Sequence, residues 1–212
     1  MLPVDPSTLL AYCLTVAAIV LSPGPDTLII LRYALGSGHR VGLATVAGVQ
    51  LGLLGHTLLA VLGISVLIAA TPWLFRSIAV AGALYLGWIG LQGFRGHTLR
   101  LDGPGQRVSV RRALRDAMLC NLLNPKVIVL FLALLPNFVD PARGRVPLQL
   151  AFLATVLVLI NVAWQAPLAW AAVGVRRWLA RPRVQLVVNA GTGAILLGFA
   201  LLMLWEHALG GG

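Results

Sequence analysis

The sequence predicts an all-α integral membrane protein: six transmembrane helices forming two inverted three-helix repeats, the first helix of each half broken at proline. Three observations predict this. Hydrophobic residues make up 59% of the 212 residues and charged ones only 10%, against about 25% charged in a soluble domain, and the mean hydropathy is +0.92. The apolar residues gather into six stretches, each long enough for the roughly 20 residues a span needs. Prolines interrupt the first stretch at Pro23 and Pro25 and the fourth at Pro125, 100 residues after Pro25.

The first stretch runs from about Ser7 to Tyr33 and contains Ser22-Pro23-Gly24-Pro25-Asp26. Each proline removes a backbone donor and clashes with the preceding turn, so two of them two apart cannot share an unbroken helix. Gly24 between them weakens the helix further. The start of the chain has no basic segment and no small-residue cleavage site, so this stretch reads as a retained span and not a signal peptide. The second stretch covers about Val41 to Ala70. Ala44, Gly48 and Gly52 line one face of it, a spacing that lets helices pack closely, and His56 continues that face into the bundle. Thr71-Pro72 connects it to a third stretch, about Trp73 to Phe94, with proline suited to the first turn. A loop from about Arg95 to Arg112, with Gly103-Pro104-Gly105 inside it, separates the halves. The fourth stretch, about Ala113 to Val139, is interrupted at Asn121-Leu-Leu-Asn124-Pro125-Lys126, and the run from Asp140 to Arg145 reads as a turn. The fifth, about Pro147 to Val175, carries Asn161, Trp164, Gln165 and Pro167, and the sixth runs from about Val184 to Trp205. The whole chain, 1–212, is then one transmembrane domain with repeats at about 1–100 and 108–212.

The net charge of +10 does not point to nucleic acid, because the arginines lie between apolar stretches. Twelve of them fall in or beside the loops after spans one, three and five; three (Arg76, Arg143 and Arg145) lie on the other side. The excess of basic residues on cytoplasmic loops puts both termini outside the cytoplasm. Trp73, Trp178 and Trp205 suit an interfacial belt. Cys13 and Cys120 lack the spacing of a metal or redox site and read as apolar filling.

Paired proline or glycine breaks in two corresponding spans are a pointer to a transporter's binding site. In hydrocarbon, non-helical backbone survives only where it faces protein or a wet cavity. A helix resuming beyond a break offers partial positive charge to a carboxylate, and freed carbonyls suit an ammonium group. A zwitterionic amino acid needs both. Pro23, Gly24, Pro25 and Pro125 are the residues that open the backbone.

Asp26 and Lys126 are the charged residues well inside the predicted spans, where each costs about 2.5–3.5 kcal/mol on insertion scales. Asp26 reads as the partner of a substrate ammonium or of a coupling proton. It also suits a structural ion pair with Lys126, or an N-cap on the resumed helix. Lys126 suits carbonyl capping, pairing with Asp26, or a substrate carboxylate. Asn121 and Asn124 suit backbone freed by Pro125 and the lining of a cavity. His56 reads either as a hydrogen-bonded interior histidine or as a proton relay. Asn161 and Gln165, four apart on one face, are lining candidates, with Tyr85 and Gln50 behind them.

Several motifs together resemble the LysE/RhtB family of bacterial amino-acid exporters. They are Ser22-Pro-Gly-Pro-Asp26, Gly48-x-x-x-Gly52-x-x-x-His56, Gly82-Ala-Leu-Tyr85-Leu-x-x-x-Gly90, Asn121-Leu-Leu-Asn124-Pro-Lys126 and Leu135-Pro-Asn-Phe-Val-Asp-Pro141. The resemblance covers nearly the whole chain. It implies a six-span exporter of amino acids or their derivatives in the bacterial inner membrane, commonly of the homoserine/threonine type, driven by proton exchange and needing no cofactor. The chain departs from the family pattern at Leu53, a position often acidic or polar there, which implies a different substrate or a missing contact. The expected partners are a small amino acid and the lipid bilayer; the Gly48/Gly52 face suits packing within one chain or a homodimer contact.

Rival readings fit less well. Cation or metal efflux asks for clustered Asp, Glu, His or Cys ligands, and the spans show none. A membrane enzyme such as a lipid transferase asks for paired acids or a Ser/His set, and the spans offer one acid. A structural subunit leaves two broken helices and two intramembrane charges without a role.

Overall fold

The computed structural model describes residues 3–22, 24–64, 72–94, 107–172, 174 and 181–205, and the regular elements among them are all helical. Helix α1 (Pro6–Leu21) starts where the Asp5 carboxylate accepts a hydrogen bond from the Ser7 N–H at 3.1 Å, with Pro6 in the first turn. It stops at Ser22, whose backbone turns extended. Gly24 is extended as well, and α2 (Pro25–Ser37) resumes with Pro25 in its first turn. The two helices meet at a bend of 52°, where the sequence predicts the break; Pro23 lies outside the described residues. Gly38, at φ +87°, turns the chain into α3 (His39–Leu59), in a conformation that glycine adopts at no steric cost. A π turn over Ala60–Ile64 continues α3. Helix α4 spans Pro72–Phe94.

The second half also holds a bent helix pair, with different chemistry at its joint. Ser109 accepts a hydrogen bond from the Arg112 N–H at 3.3 Å and opens α5 (Val110–Leu122). Helix α6 (Pro125–Val129) resumes beyond Asn124, then loosens through a π turn, Leu130–Leu134, and a 3-10 turn, Leu135–Phe138. The bend between α5 and this segment is 54°. The predicted turn from Asp140 to Arg145 is present. Gln149 holds it, accepting from the Asp140 N–H at 2.9 Å and donating to the Asp140 and Gly144 carbonyls at 2.9 and 2.8 Å. Helices α7 (Val146–Trp170) and α8 (Pro182–Leu204) follow.

Two helical segments, His39–Gly63 and Val146–Trp170, are each long and apolar enough to cross a bilayer. The described residues thus hold two candidate spans, or up to four when each bent pair is counted as one crossing. Helices α4 and α8 occupy the positions of the predicted third and sixth spans, with 23 residues each. The loop predicted from Arg95 falls mostly outside the described residues.

Lipid tails are as apolar as leucine, so helix association in a membrane rests on close packing and polar contacts more than on burying leucines. The exposed faces carry Leu10, Leu14, Leu58 and Leu62, as a lipid-facing surface requires. Helix α3 packs on α5 and α7, α1 packs on α7, and α4 packs along α8. Small residues make the tightest of these contacts. A Cβ on Gly48 would overlap the Leu114 carbonyl of α5, and one on Gly52 would overlap the Asn121 side chain. The Gly48/Gly52 face is therefore spent on packing within the chain. Tyr12 ties α1 to α7 by donating to the Leu153 carbonyl at 2.9 Å, and its ring meets Phe138 edge-on.

Candidate functional site

The two breaks meet. Lys126, in the first turn of α6, extends its ammonium across to the end of α1, where Nζ donates to the carbonyls of Ile19 and Ser22, the latter at 2.9 Å. The last carbonyls of a helix lack intrahelical donors, and the negative end of the helix dipole favours a cation there. Gly24 lies beside the lysine: a Cβ at that position would sit 3.9 Å from Lys126 Nζ, an ordinary contact that leaves the lysine its place.

Asp26 makes the reciprocal contact. It lies in the first turn of α2 and is 8% exposed. Its Oδ2 accepts from Asn121 Nδ2 at 3.0 Å and from Asn124 Nδ2 at 3.4 Å. Its Oδ1 is buried with no hydrogen-bond partner among the described residues. The sequence left open an N-cap or a structural ion pair. Gly24 holds the N-cap position, so Asp26 does not cap α2, although the dipole at this end suits its charge. No ion pair joins Asp26 to Lys126 among the described residues; the side-chain hydrogen bonds of each go to neutral groups of the opposite break.

Asn124 serves both breaks. Its Oδ1 caps α6 by accepting from the Lys126 N–H at 3.1 Å, while its amide nitrogen faces Asp26. Asn121 is fully buried. His56 stands behind it: Nε2 is 3.3 Å from the Asn121 carbonyl oxygen, and the ring stacks on Phe131 with centroids 5.4 Å apart.

A third wall comes from α7, where Asn161 and Gln165 lie one turn apart. Gln50 of α3 donates to both, at 3.3 and 3.2 Å. Gln50 was one of two weaker sequence candidates, although it is an isolated amide in an apolar helix. Tyr85, the other weaker candidate, is not among the described residues that line the cavity; its ring packs against Trp88. His56 and Asn121 also stand behind the lining.

Between these walls lies a cavity of about 40 Å³. Its polar side includes Asp26, Thr27, Asn124, Lys126, Asn161 and Gln165, and its apolar side Ile19, Val20, Leu53, Val127, Leu130 and Leu157. That is room for a few waters, each of which needs roughly 10–15 Å³ of such space. Among the described residues no group of three His, Cys, Asp or Glu side chains could hold a metal ion.

Residues 17–207, which carry both breaks and all three walls, match the family model described as LysE type translocator. The chain belongs to the LysE type translocator family. It is thus a membrane translocator and not an enzyme. An uncharacterized membrane protein of Bacillus subtilis is 30% identical over 92% of this chain and 97% of its own length. A homoserine/homoserine lactone efflux protein of Salmonella typhimurium is 31% identical over 93% and 97%. A leucine efflux protein of Enterobacter sp. is 30% identical over 89% and 91%. No solved structure matches this LysE-type chain.

Proposed function

We propose that this protein exports amino acids or close derivatives across the bacterial inner membrane, by alternating access and in exchange for protons. The family, and the efflux named for its Salmonella and Enterobacter relatives, support the substrate class. The observation that carries the reading is the joining of two helix breaks around one acid and one base. Asp26 offers an unpartnered carboxylate oxygen to a substrate ammonium or a proton. Lys126, with three donors of which two reach the α1 carbonyls, offers its remaining charge to a carboxylate.

The proposed cycle follows from the size of the cavity. An amino acid does not fit in 40 Å³, so loading separates the two breaks. The bonds that join them, from Lys126 to the α1 carbonyls and from Asn121 and Asn124 to Asp26, exchange for bonds to the substrate. Proton binding at Asp26 would neutralise that carboxylate for the return step. The halves would act as inverted repeats, about 1–100 and 108–212, within six spans, with the arginine-rich loops inside the cell and both termini outside. The bends of 52° and 54° at corresponding places favour that arrangement.

The test is counterflow in proteoliposomes with a panel of labelled amino acids, with and without an imposed pH gradient. Saturable exchange of at least one amino acid, accelerated by the gradient, is the expected result. No exchange of any amino acid would remove the reading.

A further inference from the structure

We infer that the substrate carries an uncharged, aliphatic side chain, and that Leu53 is the residue that selects it. The inference rests on the export reading and narrows its substrate. The charges that line the cavity, among the described residues, are one carboxylate, Asp26, and one ammonium, Lys126. A zwitterionic amino acid uses both for its own two ends. No third charge remains on the lining to meet a cationic or anionic side chain. The amides add no charge: Asn161 and Gln165 accept from Gln50 through their side-chain oxygens.

The rest of the wall is hydrocarbon. Leu53 of α3, Leu130 beyond α6 and Leu157 of α7 are all nearly or wholly buried and all reach the cavity. They come from three different elements, so the apolar side is a concave surface and not the flank of a single helix. A charged side chain placed there would lose its hydration without gaining a partner, a loss far greater than that of an unpaired neutral group. An aliphatic side chain would be buried at a gain instead. Leu53 sits on the same helix as Gln50, one turn further along. That places it at the junction between the amide wall and the apolar wall, where a single polar substitution changes what the side-chain end of the site accepts.

Counterflow with the full-length protein tests this, using leucine and norvaline against lysine and glutamate as labelled probes. The wild type is expected to exchange leucine and norvaline at least about ten-fold faster than either charged amino acid, the discrimination that apolar pockets reach for modest differences. Leu53→Asp should raise the lysine-to-leucine ratio by about ten-fold or more, and Leu53→Thr should lower leucine exchange in the same direction if the aspartate variant does not fold. Lysine or glutamate exchanged as fast as leucine by the wild type overturns this inference and leaves export standing. Ratios unchanged in a folded Leu53 variant overturn the role of Leu53. No amino-acid exchange at all overturns both the inference and the export reading beneath it.

Discussion

The two helix breaks look alike in sequence and differ in how they are satisfied. Both helices that enter the breaks close with a backbone bond, Ser22 N–H to the Ala18 carbonyl and Leu123 N–H to the Leu119 carbonyl, but the second break also caps the helix that leaves it: Asn124 accepts from the Lys126 N–H. The first does not. Its N-cap is a glycine with no side chain to give, and the last carbonyls of α1 are satisfied from outside, by Lys126. Break one therefore supplies acceptors, two carbonyls and the Asp26 carboxylate, and break two supplies donors, an ammonium and two amides. The difference teaches that the site is a junction of complementary halves. Neither break is complete alone, and a ligand with one positive and one negative end can replace the bonds between them.

Removing the donor on which break one depends should have the largest effect. Lys126→Met leaves the Ile19 and Ser22 carbonyls without their partner, and counterflow should fall by about 100-fold or more, the scale of a lost buried charge contact. Asn121→Ala removes the shorter bond to Asp26 and should slow exchange by about ten-fold. Asn124→Ala should do less to exchange, since its bond to Asp26 is longer, and cost about 1 kcal/mol through the lost cap of α6; thermal unfolding in detergent measures this. Gly52→Ala forces Asn121 aside and should cost about 1–3 kcal/mol by overpacking, with a loss of exchange that Gly48→Ala, which meets α5 at Leu114, does not share in full. Tyr85→Phe should change exchange by less than about two-fold. A loss as large as that of Lys126→Met would mean that the cavity extends to α4.

Much of this was legible in the sequence because lipid imposes strict rules. Hydropathy places the helices within a few residues, and proline places both breaks, since neither feature depends on distant partners. Asp26 and Lys126 stood out because charge is rare in a span. What the sequence could not give was the pairing. Carbonyl capping was one of three readings of Lys126 and is the one it adopts here, but which carbonyls it meets, and the Asn121 and Asn124 side chains that donate to Asp26, depend on residues about a hundred positions away. Gln50 was underrated for the same reason: its role depends on Asn161 and Gln165, more than 100 positions away. Tyr85, the other of the two weaker candidates, packs on Trp88. The turn after α6 needed Gln149, which no local pattern announces.

The claim at the centre is that Asp26, at the acceptor break, exchanges substrate for protons. The most direct measurement compares wild type and Asp26→Asn in proteoliposomes, following amino-acid exchange across a series of pH values and under an imposed pH gradient. The account predicts that the wild type responds to both, and that Asp26→Asn loses most of its exchange and all dependence of the remainder on pH. Full transport by Asp26→Asn with an unchanged pH profile would contradict it.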